Sequence, residues 1–188
     1  MIIDGKNIAE KLYSALIDER AAFSGPVRLG ILVGDKTPVI ASYVRIKEKA
    51  AERLSVAMVK KELPDGATTA DAILAIEDLA EKTDGVIPQL PMTNIDIDAV
   101  RNAIPKEKDV DVLGDEAFAA FEKGGWPAIP PVPAAIVYIL EQNNVRIKGA
   151  HVVIVGKGRL VGKPAEVLFK QLGGRVKTLI KGDNVASN

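Results

Sequence analysis

Tyr43 and Lys47 stand four residues apart in Ser42-Tyr43-Val44-Arg45-Ile46-Lys47. On a helix that spacing puts both side chains on one face. A Tyr ring can stack on a flat ligand, and a Lys whose pKa burial lowers can move protons near neutral pH. Arg45, Glu48 and Lys49 fall on other faces, toward solvent. By themselves Tyr43 and Lys47 also describe the edge of an ordinary amphipathic helix. Pro88-Gln89-Leu90-Pro91 follows the apolar run Gly85-Val86-Ile87. Ligands of parallel α/β sheets gather at the carboxyl ends of strands, and Gln89 can donate and accept hydrogen bonds there. The plainer reading is a rigid turn with a solvated Gln. In Lys108-Asp109-Val110-Asp111-Val112 two carboxylates have strand spacing, so both are expected on one side. A carboxylate at a strand end can grip a guanidine-like edge with two hydrogen bonds. A third acidic ligand is lacking, so no metal site is expected; an exposed turn fits the same residues.

The fourth candidate is Val152-Val153-Ile154-Val155-Gly156-Lys157-Gly158-Arg159-Leu160-Val161-Gly162-Lys163-Pro164. Four apolar β-formers run into a glycine turn that opens a helix, the start of a nucleotide-binding βαβ unit. Gly156 and Gly158 let the backbone turn tightly and approach a pyrophosphate. The helix beyond offers free N–H groups and a positive dipole end. The spacing is Gly-x-Gly-x-x-x-Gly, one residue longer than the common dinucleotide fingerprint. A second strand is expected over about Arg175–Ile180. After it, Lys181 suits a 2′-phosphate and Asp183 a free 2′-hydroxyl, so NADP and NAD both remain open.

Composition narrows the chemistry. The chain has 188 residues, 47% of them hydrophobic, with 25 Lys+Arg against 25 Asp+Glu. That balance gives no reason to expect nucleic acid as a partner. There is no Cys, which excludes disulfides, thiolate zinc sites and cysteine nucleophiles. The one His, His151, opens an apolar strand and reads as structural or surface-exposed. Asp4 and Lys6 come too early for an apolar leader. No apolar run approaches the roughly 18 residues of a membrane span. A cytoplasmic α/β protein is expected.

Strands and helices must alternate to position these groups. Ile2-Ile3 reads as a short strand. A helix is expected from Asn7 to about Phe23, with Ile8, Leu12, Leu16 and Ile17 on one face. A buried strand spans Leu29–Val33 and closes at Gly34-Asp35. Pro38 suits a helix start, and helix continues from Ser42 to Leu54. Further expectations are a strand over Val56–Leu63, a helix from Thr69 with Ala72, Ile73, Ile76 and Leu79 inward, a short strand at Gly85–Ile87 and a short helix over Asp96–Ile104. The alternation predicts a mostly parallel sheet covered on both faces. The break Gly124-Gly125-Trp126-Pro127 marks the domain boundary, giving residues 1–125 and 126–188, with Trp126 as a packing anchor at the hinge. A helix from Ala134 to about Asn144 precedes the glycine-turn strand.

The order of the motifs is more specific than any one of them. Asp4-Gly5-Lys6 is followed by Val33-Gly34-Asp35, then by Tyr43-Val44-x-x-Lys47-x-Lys49-Ala50. Gly85-Val86-Ile87-x-Gln89-Leu90-Pro91, Pro105-x-x-Lys108-Asp109-Val110-Asp111 and Val155-Gly156-x-Gly158-x-x-Val161-Gly162-Lys163-Pro164 complete the series. The whole chain resembles the bifunctional methylenetetrahydrofolate dehydrogenase/methenyltetrahydrofolate cyclohydrolase family, over about the first two thirds of a typical member. The resemblance implies an N-terminal α/β folate domain with a mostly parallel sheet, then the first part of a Rossmann-type NAD(P)-binding domain. It implies hydride transfer from 5,10-methylenetetrahydrofolate to NAD(P)+, then hydrolysis of the methenyl ring to 10-formyltetrahydrofolate. By position, Lys47 would handle protons, assisted by Gln89. Tyr43 would stack on and position the folate, Asp111 would hold the pterin's amino edge, and Leu90 and Pro91 would touch the substrate. Gly156, Lys157, Gly158, Arg159, Leu160, Val161 and Lys181 would line NADP or NAD. The resemblance also implies a homodimer acting on tetrahydrofolate derivatives; the residues themselves give no reason to expect a membrane or a metal.

The chain departs from that pattern in named places. Val112-Leu113 stands where the family usually has Gly-Phe, Pro130-Pro131-Val132-Pro133 where it has Pro-Cys-Thr-Pro, and Lys157-Gly158 where it has Arg-Ser. The distal nucleotide strands and the late Gly-Gly-Val-Gly-Pro segment are not in the sequence. The expectation is therefore an incomplete relative, with weak dehydrogenase activity and a ring-opening activity that depends on the first domain. Two alternatives stay open: a non-catalytic shortened homologue that keeps folate or partner binding, and a two-domain dehydrogenase for another substrate.

Overall fold

The computed structural model describes residues 2–183. Its organising strand is β1 (Val27–Val33), where Ile31, Leu32 and Val33 are all buried. A run apolar on both faces needs cover on both faces, and β1 is central. β2 (Val56–Glu62) and β3 (Gly85–Gln89) pair with it in parallel, in the order β2-β1-β3. Alternation sorts the side chains. Leu32 and Val86 pack with Ala72, Ala75, Ile76 and Leu79 of α3 (Thr69–Lys82). Ile31, Val33 and Ile87 pack with Ile40 and Val44 of α2 (Pro38–Arg53). Both helices have sound starts: Thr37 caps α2 ahead of Pro38, and Thr68 forms a capping box with Asp71 at α3. α1 (Gly5–Ala22) begins at Asp4, whose carboxylate accepts from the N–H groups of Lys6 and Asn7. No residue of α1 is fully buried.

The chain divides into two compact units, residues 1–109 and 110–188. α4 (Ile97–Asn102) completes the helices of the first. In the second, α5 (Asp115–Lys123), α6 (Pro131–Gln142) and α7 (Gly162–Gln171) accompany a parallel pair, β4 (His151–Val155) and β5 (Arg175–Leu179). Val112, Ala117, Phe118, Phe121 and Leu168 form one apolar cluster with Trp126 against it. Ile147, Ala165 and Phe169 form another with Val152, Ile154 and Val176. The protein is α/β with parallel sheets, as the alternation of elements requires. No helix among the described residues is long and apolar enough to cross a membrane.

Several local expectations are corrected. Ile2-Ile3 lies outside any strand, and Ile2 is exposed. Residues 108–112 are not a strand: a 3-10 turn over Lys106–Lys108 leads to a single parallel bridge between Asp109 and Val86. The turn breaks the alternation, so Asp109 is buried while Asp111 is half-buried. β3 runs through Pro88 to Gln89 because it is hydrogen-bonded along its length only to β1, and an edge strand tolerates a residue without an N–H. α6 starts at Pro131 rather than Ala134, because prolines fit a helix's first turn. α5 occupies a stretch to which periodicity assigned no element.

Candidate functional site

The first unit brings two of the expected residues into contact. Ile87 of β3 faces α2, and the two-residue period of a strand turns Gln89 to the same side. There the Lys47 ammonium donates to Gln89 Oε1 at 2.8 Å, across 42 residues of sequence. Gln89 Nε2 donates to the Leu90 carbonyl at 3.0 Å, which fixes the amide's orientation. Gln89 is only 8% exposed. Lys47 makes no ion pair among the described residues, so its charge is met by an amide rather than a carboxylate. Tyr43 lies one turn earlier on α2 and is 55% exposed. Leu90 packs partly buried beside the α3 core, while Pro91, joined to it by a cis peptide bond, is exposed.

Sequence reasoning missed the neighbours of Tyr43. Val39 and Ile46 are exposed with it. The spacing 39, 43, 46 is i, i+4, i+7, so three apolar side chains line one solvent-facing stripe of α2. That periodicity was the available signal. The stripe and the Lys47–Gln89 contact make a surface with an apolar part and a polar end, the usual composition of a small-molecule site.

Past the carboxyl ends of the strands lies a cavity of about 570 Å³, lined by residues that include Asp35, Lys36, Asp65 and Thr93. Asp35 accepts from the Thr93 N–H at 2.9 Å and its hydroxyl at 2.7 Å. Those two donors, the N–H first, hold its carboxyl below the ordinary range. The Lys108 ammonium donates to the carbonyls of Ala80 and Thr83, the latter at 2.9 Å. It thus places a cation at the carboxyl end of α3, where the helix dipole favours it, and fastens the turn that precedes Asp109. Asp111 belongs to the second unit, in the turn just after.

In that unit, Gly156 ends β4 at φ +102°. A β-carbon on Gly162 would collide with the Gly156 carbonyl, whereas one on Gly158 would meet nothing within 4 Å. The first and third glycines therefore serve the protein's own turn, and the second borders open space. No side chain caps α7, but Lys163 donates its N–H to the Gly158 carbonyl at 3.0 Å, Ala165 donates to the Val161 carbonyl and Pro164 has no N–H, so of that turn only the Gly162 N–H is open to an anion among the described residues. Lys157, Leu160, Val161 and Lys181 are exposed. Arg159 is turned inward: it donates to the Leu113 carbonyl and pairs with Asp115 at 2.9 Å. Asp183 accepts from the Ile180 N–H at 2.7 Å, within its own turn. His151 is exposed. Among the described residues no group of three His, Cys, Asp or Glu could hold a metal ion.

A parallel α/β unit with an ammonium–amide pair at a strand's end, joined to a β–glycine turn–α–β unit, defines a class: two-part α/β proteins with a small-molecule surface and a dinucleotide-type turn. Residues 3–111 match the model for the tetrahydrofolate dehydrogenase/cyclohydrolase catalytic domain, and residues 130–186 match that for the same family's NAD(P)-binding domain. The chain belongs to the tetrahydrofolate dehydrogenase/cyclohydrolase family. It is 33% identical over 184 residues to the bifunctional protein FolD of Acinetobacter baumannii, covering 94% of this chain and 65% of that one. It is 32% identical over 185 residues to the cytoplasmic C-1-tetrahydrofolate synthase of Saccharomyces cerevisiae, covering 93% of this chain and 20% of that one. The chain thus spans less than two thirds of these relatives' length. The crystal structure of the Trypanosoma brucei methylenetetrahydrofolate dehydrogenase-cyclohydrolase, complexed with NADP and an inhibitor, superposes with a TM-score of 0.91 at 25% identity, over 100% of this chain and 66% of that one. The Thermoplasma acidophilum bifunctional enzyme gives 0.83 at 25% identity, over 100% and 69%.

Proposed function

We propose that this chain acts in one-carbon folate metabolism, oxidising 5,10-methylenetetrahydrofolate with NAD(P)+ and hydrolysing the methenyl product to 10-formyltetrahydrofolate. The observation that carries the reading is the 2.8 Å contact between Lys47 and Gln89 beside the exposed Tyr43 stripe. In the hydrolytic step, Lys47 acts in its neutral amine form: Nζ takes a proton from the water that adds to the cationic methenyl carbon. The ammonium so formed returns that proton to the ring nitrogen as the C–N bond opens, and the remaining hydroxyl proton leaves to solvent as the formyl carbonyl forms. Gln89 fixes the amine while both transfers occur, which is a positioning contribution. Tyr43 offers its ring to the flat folate, and Leu90 and Pro91 border it. Asp111 accepts two hydrogen bonds from the pterin's guanidine-like edge.

On this reading residues 1–125 form the folate-binding catalytic part and residues 126–188 the dinucleotide-binding part. The open space at Gly158 and the close turn at Gly156 and Gly162 fit a pyrophosphate. Gly156, Lys157, Gly158, Leu160 and Val161 would hold NADP or NAD, which supplies the hydride acceptor; Arg159 would contribute through its backbone, its side chain being engaged by Asp115. Lys181 would approach a 2′-phosphate. Tetrahydrofolate derivatives are the substrates, a homodimer the assembly and the cytoplasm the location, the last in line with the yeast relative's name.

The test is the rate of methenyltetrahydrofolate ring opening, without nucleotide, for the chain and its Lys47→Met variant. A rate above background in the chain, reduced about 100-fold or more in the variant, is expected from losing a general acid–base. Equal rates in the two would overturn the assignment and favour a binding protein without catalysis.

A further inference from the structure

Gly34 and Asp35 close β1, and neither has a part in the chemistry above. Both grip the segment that follows Gln89. A β-carbon at Gly34 would press on Met92 Cγ at 2.7 Å and Cβ at 3.0 Å, so Met92 occupies the space a side chain would need. Met92 is 4% exposed and belongs to the α3-side core. Asp35, the next residue, takes both donors of Thr93, across 58 residues of sequence. Val33 and Gln89 are register partners. The two strands therefore leave the sheet side by side and are fastened again one and two residues after Val33, three and four residues after Gln89.

The stretch between these fastenings is Leu90-Pro91-Met92. Its Leu90 carbonyl accepts the Gln89 amide, and that amide's other end holds Lys47. A displacement of this stretch would move the Leu90 carbonyl, rotate the Gln89 amide and alter the support of the Lys47 ammonium. Asp35 adds to the packing of Met92 a polar hold on Thr93, since a carboxylate taking an N–H and an O–H makes two charge-assisted hydrogen bonds.

We propose that Asp35, through Thr93, is a positioning residue for the Lys47–Gln89 pair. This rests on the reading of that pair as the proton-handling centre. Asp35 touches neither Lys47 nor Gln89; it acts by fixing the far end of the turn that orients the amide. A mispositioned catalytic group lowers the rate of the chemical step while leaving substrate affinity largely intact.

The experiment compares Asp35→Ala, Thr93→Val, their double variant and Thr93→Ser, each checked for folding by circular dichroism. Steady-state ring opening gives kcat and KM. The side-chain amide resonance of Gln89, assigned by its loss in Gln89→Leu, gives the position of the amide directly. The expected result is about a tenfold fall in kcat for each single variant, with KM within about twofold. The double variant should be no slower than the slower single one, Thr93→Ser should recover most of the rate, and the Gln89 signal should shift in Asp35→Ala and Thr93→Val. An unmoved Gln89 signal in both folded variants overturns the proposal, as do rate losses that multiply in the double variant. If the parent chain opens the ring no faster than Lys47→Met, the functional reading fails instead, and the Gln89 signal still decides whether Asp35 positions the amide. Should Asp35→Ala fail to fold, Thr93→Val and Thr93→Ser carry the same comparison.

Discussion

Asp35 also makes a statement about pH. The N–H and hydroxyl of Thr93 hold its carboxyl below the ordinary range, which in an unfolded chain lies near about 3.9. The folded chain thus keeps the proton off to lower pH than the unfolded chain does. The resulting stability is complete above the unfolded value and is lost as pH falls through the lower, folded value. Asp35→Asn is expected to unfold more easily than the parent at neutral pH, with the difference closing in acid. Urea unfolding at several pH values between about 2 and 7 reads this; a gap that widened in acid would contradict it. Asp71, Asp78 and Glu166 are lowered in the same direction by their own partners and remain in the variant. At this scale the sequence was partly legible. That Tyr43 and Lys47 share one face of α2 follows from helical spacing alone. Gln89 is recognisable as a polar residue at a strand's end, but its contact with Lys47 depends on which face of β3 meets α2, and that is a property of the folded sheet. Asp109 and Asp111 misled because alternation presumes a strand, and the 3-10 turn over Lys106–Lys108 removes it.

Elements were legible where a single physical cause governs them. α3 announces itself by a capping box and an unbroken apolar face, and β1 by a run apolar on both sides. β3 was foreshortened because Pro reads as a strand breaker until the strand is known to be an edge. α5 lay hidden because it spans only nine residues and its anchors, Phe118 and Phe121, are one turn apart, too little to establish a period. Three glycines were visible, yet only the structure separates their duties: Gly156 supplies a positive φ, Gly162 lets α7 approach the strand's end, and Gly158 borders open space. Gly162→Ala is therefore expected to cost about 1–3 kcal/mol by forcing the helix start away from Gly156. Gly158→Ala should leave stability nearly unchanged while weakening the proposed binding of NADP or NAD. Urea unfolding and nucleotide titration of the two variants separate these effects. A Gly162→Ala variant as stable as the parent would mean that α7 is free to shift.

For the molecule as a whole, each unit holds its own apolar clusters, and the family correspondence covers residues 3–111 and 130–186. The equal numbers of acidic and basic residues leave no global field to guide a charged ligand, so recognition must be local. Lys47 is where local recognition meets global stability. A half-buried ammonium supported by a neutral amide has surrendered hydration without gaining an opposite charge. Methionine, close to it in length and without charge, would relieve that cost, so Lys47→Met is expected to be more stable than the parent by about 0.5–1 kcal/mol. A higher urea midpoint at unchanged slope would show it. The residue proposed to do the chemistry would then be one that the fold by itself would not have chosen. Selection for thermal robustness alone would tend to erase it, so on the proposed reading its retention would follow from selection for turnover.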